Sequence, residues 1–376
     1  MTDIYEQLAW FLDELPAGYP QTESGVELRI LRKLFTPQEA ELFTYLTLIA
    51  EEPSVVAYRA NQPVEEVGQR LEEMESKGLI SGIHKPEKQP KYSARQFVIG
   101  FWEGQVNRLD KELVEAFEAY LPSFFDTELW RKAPQMRTIP IGESIPVQTG
   151  AMPYERAEEI IRSHTVISVA NCICRQEQRL AGKGCTKPLE TCLTFDSAAR
   201  NYAYTGRGRM ISQEEALEIL NLANEAGLVL QPTNAQDPAA ICACCGCCCG
   251  VLRGLKLHPS PGSIASSPYV TAYDPLICSG CGDCVERCQM GAISMDDGVA
   301  TVAQERCIGC GLCVTACTTG ALTLVRKPES EQRVVPKDML SASLQLGQAR
   351  GKMGRRELVS MLAKSKADRL RARITT

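Results

Sequence analysis

The chain has 376 residues, 44% of them hydrophobic, a formal net charge of −5 and eighteen cysteines. Such a length accommodates two or three domains with proper apolar cores. No apolar run approaches the roughly 18 residues of a membrane span, and the first residues lack a basic stretch followed by an apolar core. All the cysteines fall between 172 and 317, in groups strung too closely to pair as disulfides. That usage points to metal ligation in a reducing, cytoplasmic setting, in a host tolerant of oxygen-sensitive centres.

Residues 1–100 carry ten Lys/Arg against sixteen Asp/Glu. Thr36-Pro37-Gln38-Glu39 is a capping box with Pro at the first helical position, and it predicts a helix to about Ala50. Pro53 to about Ala60 reads as a second helix. A third begins at Pro63, with Val64, Val67, Leu71 and Met74 on one face and Gly78 as its cap. Leu79-Ile80 and Phe97-Val98-Ile99 are expected to form a hairpin around a Lys/Pro-rich tip at 84–91. Three helices and a hairpin over residues 26–102 resemble a winged helix-turn-helix domain. The resemblance implies DNA binding, which the basic tip (His84, Lys85, Lys88, Lys91) favours. The groove-reading helix opposes it, with Glu65, Glu66, Glu72, Glu73 and Glu75 against Arg70 and Lys77. A protein-docking role fits that balance better.

Residues 103–131 are expected to continue as one helix through Leu109, Leu113, Phe117 and Tyr120. Pro134, Pro140, Pro146 and Pro153 mark Ala133–Pro153 as an extended connector, with a domain boundary near 135–150. Beyond it, Tyr154–Ser163 reads as a helix and Thr165–Ala170 as a strand delivering Cys172-Ile-Cys174-Arg175. Cys185 and Cys192 follow. Ser212-x-x-Glu215 caps another helix ending at Gly227, and Leu228–Leu230 resumes a strand. Then come Cys242, Cys244, Cys245, Cys247, Cys248 and Cys249, six thiols in eight residues.

These ten cysteines admit several readings. Cys172, Cys174, Cys185 and Cys192 are enough for one further iron–sulfur cluster, and four of the six at 242–249 for another. Alternatively both segments converge on one site and leave spare thiols for redox chemistry. Structural zinc is equally compatible with Cys-x-Cys spacing. Adjacent Cys-Cys pairs are expected to strain the backbone if both aim at one small centre, so only a subset is expected to ligate. Arg175, Arg207 and Arg209 are candidates to neutralise an anionic centre, against the ordinary fate of a solvated loop arginine. His164 is a candidate ligand or a surface residue at a helix end, and His84 and His258 have no cysteine context. No Ser-His-Asp arrangement, Walker sequence or G-x-G-x-x-G after a strand is present.

Residues 256–270 read as a Pro/Ser/Gly linker. The following stretch is the strongest signal in the chain. Cys278-x2-Cys281-x2-Cys284-x3-Cys288 recurs as Cys307-x2-Cys310-x2-Cys313-x3-Cys317, each followed by a matching tail, Gly291-Ala-Ile-Ser-Met and Gly320-Ala-Leu-Thr-Leu. The pattern resembles the bacterial-type ferredoxin domain with two [4Fe–4S] clusters. By that resemblance, one cluster takes Cys278, Cys281, Cys284 and Cys317, and the other Cys307, Cys310, Cys313 and Cys288. Gly280, Gly282, Gly309 and Gly311 permit the tight loops. The family's Pro after the fourth cysteine is absent, with Gln289 and Thr318 instead. A pair of zinc sites is the plainer alternative, but zinc motifs favour two separated C-x2-C pairs.

From 326 onward thirteen Lys/Arg face five Asp/Glu, and Arg355–Ile374 is helix-compatible. This basic tail reads as a solvated arm or as a docking helix for an acidic partner or anionic surface.

The expected architecture is therefore α+β and multidomain: a helical, winged-helix-like domain (1–135), a Cys-rich α/β middle domain (150–258), a ferredoxin-like dicluster domain (268–326) and the tail (327–376). The expected function is single-electron transfer through two [4Fe–4S] clusters to or from a partner oxidoreductase, with a further Fe–S or zinc site in the middle domain. Two rivals are a redox-sensing winged-helix transcription regulator and a reductase with its own site at Cys242–Cys249.

Overall fold

Thr36 accepts from the Glu39 N–H while the Glu39 carboxylate accepts from the Thr36 N–H, so the capping box forms as its sequence dictates. In the computed structural model, which describes residues 3–145 and 151–375, the helix it opens spans only Pro37–Phe43. The chain leaves the helix early because Thr44 and Thr47 turn their hydroxyls onto nearby backbone carbonyls, a local competitor of helical pairing. Helices Pro53–Ala60 and Val64–Ser76 follow, the second burying Val67, Leu71 and Met74.

The hairpin pairs Ser81–Ile83 with Lys91–Ser93, so Phe97–Ile99 is not its second strand. Leu79, Ile80 and Phe97 are instead fully buried. Phe97 packs among Tyr19, Phe101, Phe117 and Tyr120, and a run so apolar gains more from that core than from an exposed wing. The single helix expected over 103–131 is broken into a short 3₁₀ turn, Lys111–Phe124 and Thr127–Lys132. Asp110 and Asp126 cause the breaks by accepting from the N–H groups of the turns that follow.

The chain divides into two compact units: residues 1–124, 203–207 and 343–376 form one, and residues 125–202 and 208–342 the other. The basic tail is therefore divided: residues 327–342 belong to the second unit and residues 343–376 to the first. Its helix, Arg355–Thr375, packs on Pro53–Ala60, and it is not a free arm. Arg59 grips buried Glu51 with both Nη atoms at 2.6 and 2.7 Å and reaches Asp368 at 2.7 Å through Nε. The tail's own cations are taken up by N-terminal acids, Arg350 by Asp13, Lys352 by Glu14 and Arg369 by Glu52.

The second unit holds a five-stranded antiparallel sheet in the order Gly208–Ile211, Ile167–Asn171, Glu190–Phe195, Ala240–Cys244, Val229–Pro232. Ser212 caps the helix Gln213–Glu225, and Gly227 takes a φ of +66°. The connector expected over Ala133–Pro153 lies partly outside the described residues, at 146–150. Its first part runs beside the edge strand, with Arg137 and Ile139 donating to Pro232 and Leu230, before a 3₁₀ turn at Gly142–Ser144. It covers backbone groups that an open sheet edge would expose.

The expected linker at 256–270 is built into the unit. It starts on the end of the helix Gly250–Leu257 and contains the helix Pro261–Ile264, and Arg333 bonds the carbonyls of Ser263 and Ile264. Beyond it, Tyr269–Tyr273 pairs antiparallel with Leu322–Arg326, and Ile293–Asp296 pairs with Val299–Val302. Two short helices, Asp283–Arg287 and Leu312–Ala316, complete a twofold-repeated fold. Buried Glu155 clamps its far strand through two bonds from Arg326 at 2.8 and 2.9 Å and one from Tyr269.

Candidate metal centres

In each cysteine loop the backbone must reverse twice within four residues. Gly280, Gly282, Gly309 and Gly311 do so with φ of +72°, +84°, +66° and +74°, a region closed to most side chains. Gly282 and Gly311 then start the two short helices that carry Cys284 and Cys313. Cys278, Cys281, Cys284 and Cys317 line one cavity, and Cys288, Cys307, Cys310 and Cys313 line another. Each cavity draws its fourth thiol from the opposite copy of the motif. Ile293, Ala300 and Leu322 form one small core with Cys284 and Cys313 between them.

Gly309 is closed off by backbone. A Cβ there would stand 2.1 Å from the Tyr269 carbonyl oxygen, besides the strain of its φ. Gly309→Ala is expected to displace Cys310 and to cost the protein about four irons per chain, whereas Gly291→Ala, which shares the strain of a positive φ (+61°) but has open space around its Cβ, is expected to keep them. Iron and labile-sulfide assays on both variants check this.

Donors surround these sulfurs. The Ala292 and Ala300 N–H groups point at the Sγ atoms of Cys288 and Cys278 at 3.2 and 3.4 Å. The Thr271 hydroxyl lies 3.5 Å from Cys313 and 3.6 Å from Cys307. Although burial works against it, Cys317 is lowered from its ordinary range by the Thr319 hydroxyl and the N–H groups of Leu322, Thr319 and Ala321. Burial pushes Cys313 up to about 12 and Cys310 well above its ordinary value. Thiols of the second kind give up protons to a bound cation rather than to water. The N–H groups and hydroxyls suit an anionic sulfur cage, so the residues present fit an iron–sulfur cluster.

In the sheet domain, strand pairing sets Cys192 opposite Cys242, while Cys172 and Cys249 stand at the N-termini of Ile173–Leu180 and Gly250–Leu257. The ten thiols sort into two groups, each mixing both sequence segments. Cys185, Cys245, Cys247 and Cys248 have all their sulfurs within 4.8 Å of one another. Cys192, Cys242, Cys244, Cys249, Cys174 and Cys172 form a chain in which each thiol interacts with the next. Division by segment, as 172–192 against 242–249, is therefore not what the fold produces.

The expected strain at adjacent cysteines is also absent. Cys247 and Cys248 bring their sulfurs to 3.7 Å within a turn closed by Cys249 N–H to Cys245 O, and neither has a positive φ. Mutual contact and burial push Cys172 and Cys242 well above the ordinary thiol value, and Cys174, Cys244 and Cys249 are raised likewise.

Arg175 is a buried cation beside these thiols. It is a helical residue with 0% exposure, not a loop arginine. One Nη donates to the Ala243 carbonyl at 3.0 Å and faces the Cys245 sulfur at 3.9 Å, and the other donates to Thr191. Burial disfavours its charge, but Cys172, Cys244 and Cys245 outweigh burial and raise its pKa. Opposite it, Cys245 is drawn down to about 7, despite burial, by Cys247, the Cys248 N–H and Arg175. The burial of Arg175 is not legible in the sequence, because the buried positions of Ile173–Leu180, namely Ile173, Arg175, Glu177 and Gln178, follow no single helical face.

The other candidates are engaged elsewhere. Arg209 is exposed and pairs with Glu190 and Glu215, and Arg207 donates to Thr205. His164 is buried rather than at the surface, stacked on Phe195 at 4.4 Å with Nδ1 against Asp196. His84 pairs with Glu75, and His258 accepts from the Ser260 N–H.

Gln289, which stands where the ferredoxin pattern has Pro, joins the two sulfur-rich regions. Its side-chain oxygen accepts from the Gly246 N–H at 2.8 Å. A Cβ on Gly246 would fall 2.1 Å from the Gln289 carbonyl oxygen. The Cys245–Cys247 loop thus rests directly on the residue after Cys288.

A repeated fold of this kind, with two four-cysteine cavities, defines an iron–sulfur domain. Residues 277–334 match the 4Fe-4S dicluster domain family. No curated protein and no solved structure matches the chain. Among the described residues no helix is long and apolar enough to cross a membrane.

Proposed function

We propose that the protein relays single electrons between a partner oxidoreductase and a centre in its own middle domain, through two [4Fe–4S] clusters. One cluster is held by Cys278, Cys281, Cys284 and Cys317, the other by Cys307, Cys310, Cys313 and Cys288. When bound, such clusters supply one-electron carriers with no open coordination position. The chain holds their sulfurs in place and tunes them with the N–H groups of Ala292 and Ala300 and the Thr271 hydroxyl. The contact between Gln289 and Gly246 carries the rest of the reading: it gives the second cavity a covalent and hydrogen-bonded path to the thiols of the sheet domain. The six-thiol chain ending at Cys172 and Cys192 is the candidate for a further iron–sulfur centre. The reducing interior of a cell suits so many free thiols.

The order of helices and hairpin over 26–102 supports a winged-helix-like scaffold. With Glu65, Glu66, Glu72 and Glu73 on Val64–Ser76, that scaffold serves protein docking rather than duplex DNA.

Anaerobic purification is expected to yield a brown protein with at least eight irons and matching labile sulfide per chain. Its reduced EPR spectrum is expected to show two interacting clusters. A colourless sample lacking labile sulfide refutes the proposal.

A further inference from the structure

The four sulfurs of Cys185, Cys245, Cys247 and Cys248 have a spacing that selects among metals. Cys185 lies 3.8 Å from Cys245 and 3.6 Å from Cys248, and Cys247 lies 3.7 Å from Cys248. A tetrahedron of sulfurs around one ion at a bond length of about 2.3 Å has edges of about 3.8 Å. Around a [4Fe–4S] cube each sulfur sits one bond outside its iron, and the edges grow to about 6 Å. The observed edges belong to the first case.

We propose that Cys185, Cys245, Cys247 and Cys248 bind a single tetrahedral ion, zinc or iron, as a site separate from every cluster. Four thiolates around one divalent ion leave a net charge of −2, and Arg175, with its Nη beside Cys245, supplies the buried counter-charge. The site has a mechanical role. It pins the Cys185 loop to the turn at Cys245–Cys248, and that turn is the one seated on Gln289. The inference rests on reading the middle domain as metal-bearing, and it stands or falls separately from the dicluster.

X-ray absorption at the zinc and iron edges of the full-length protein, purified without oxygen, tests it together with metal analysis of Cys185→Ser and Cys247→Ser. For zinc, the expected result is about one zinc per chain with four sulfurs at about 2.3 Å and no metal–metal scattering. For iron, it is a high-spin ferric EPR signal after mild oxidation. In either case both variants lose that one ion and keep the irons, labile sulfide and reduced EPR spectrum of the dicluster. Loss of labile sulfide in the variants, metal–metal scattering at the zinc edge, or unchanged metal content in both variants overturns the proposal. Retention of the dicluster spectrum shows that the variants fold, and its absence in the unmodified protein would refute the relay instead.

Discussion

Cys278→Ser combined with Cys317→Ser is expected to remove about four irons per chain, whereas Cys278→Ser combined with Cys288→Ser removes about eight. The first pair of changes strikes the four cysteines of one cavity, and the second strikes both cavities. If each motif copy closed on itself, the two outcomes would be exchanged, so iron analysis of two double variants decides the pairing. The basis is the lining of the cavities: Cys317 with Cys278, Cys281 and Cys284, and Cys288 with Cys307, Cys310 and Cys313. A remaining cluster with no neighbour is expected to give a simple reduced EPR spectrum, free of the coupling seen with two. Thiolate loss is severe because the cage has no spare donor, and a serine hydroxyl is a poor ligand to a soft iron–sulfur core.

The second large effect is expected at Arg175. Its guanidinium is wholly buried, and it holds Ala243, Thr191 and Cys245 in three directions. Arg175→Met keeps much of the volume but leaves the thiolates of a loaded site without a counter-charge. Breaking a buried charge pair costs about 3–5 kcal/mol, so the middle-domain metal is expected to be lost while the dicluster keeps its iron. Arg175→Lys retains the charge without the planar fork that spans three acceptors, and partial metal retention is expected. Metal analysis and thermal unfolding of both variants measure the difference. Equal metal content in Arg175→Met and the unmodified protein would show that the guanidinium is only a packing element.

Local chemistry accounts for what could be read without coordinates. The capping box at Thr36, the Ser212 cap (though without the reciprocal bond from Glu215), the glycines around each cysteine loop and the doubled C-x2-C-x2-C-x3-C are short-range signals, and each appears where expected. The failures were at positions decided by partners remote in sequence. Phe97–Ile99 has the pattern of a strand, yet Phe97 is claimed by aromatic residues from 19 to 124. The tail has the composition of a solvated arm, but Asp368 and Ser365 meet Arg59 and Glu51, more than 300 positions earlier. The ten thiols of the sheet domain could be counted but not grouped. Their sorting follows from strand order, which sets 192 beside 242, and from a turn that brings neighbours 247 and 248 together.

The return of residues 343–375 to the first unit bears on how the chain is made. Synthesis delivers the helix Pro53–Ala60 early, with Glu51 already beside Arg59, whereas Asp368, the second carboxylate on Arg59, emerges only after the whole cysteine-bearing stretch has been translated. Until then the face of Pro53–Ala60 that the last helix covers stays open. Its closure by the last helix would come after the sulfur sites have had their chance to be filled.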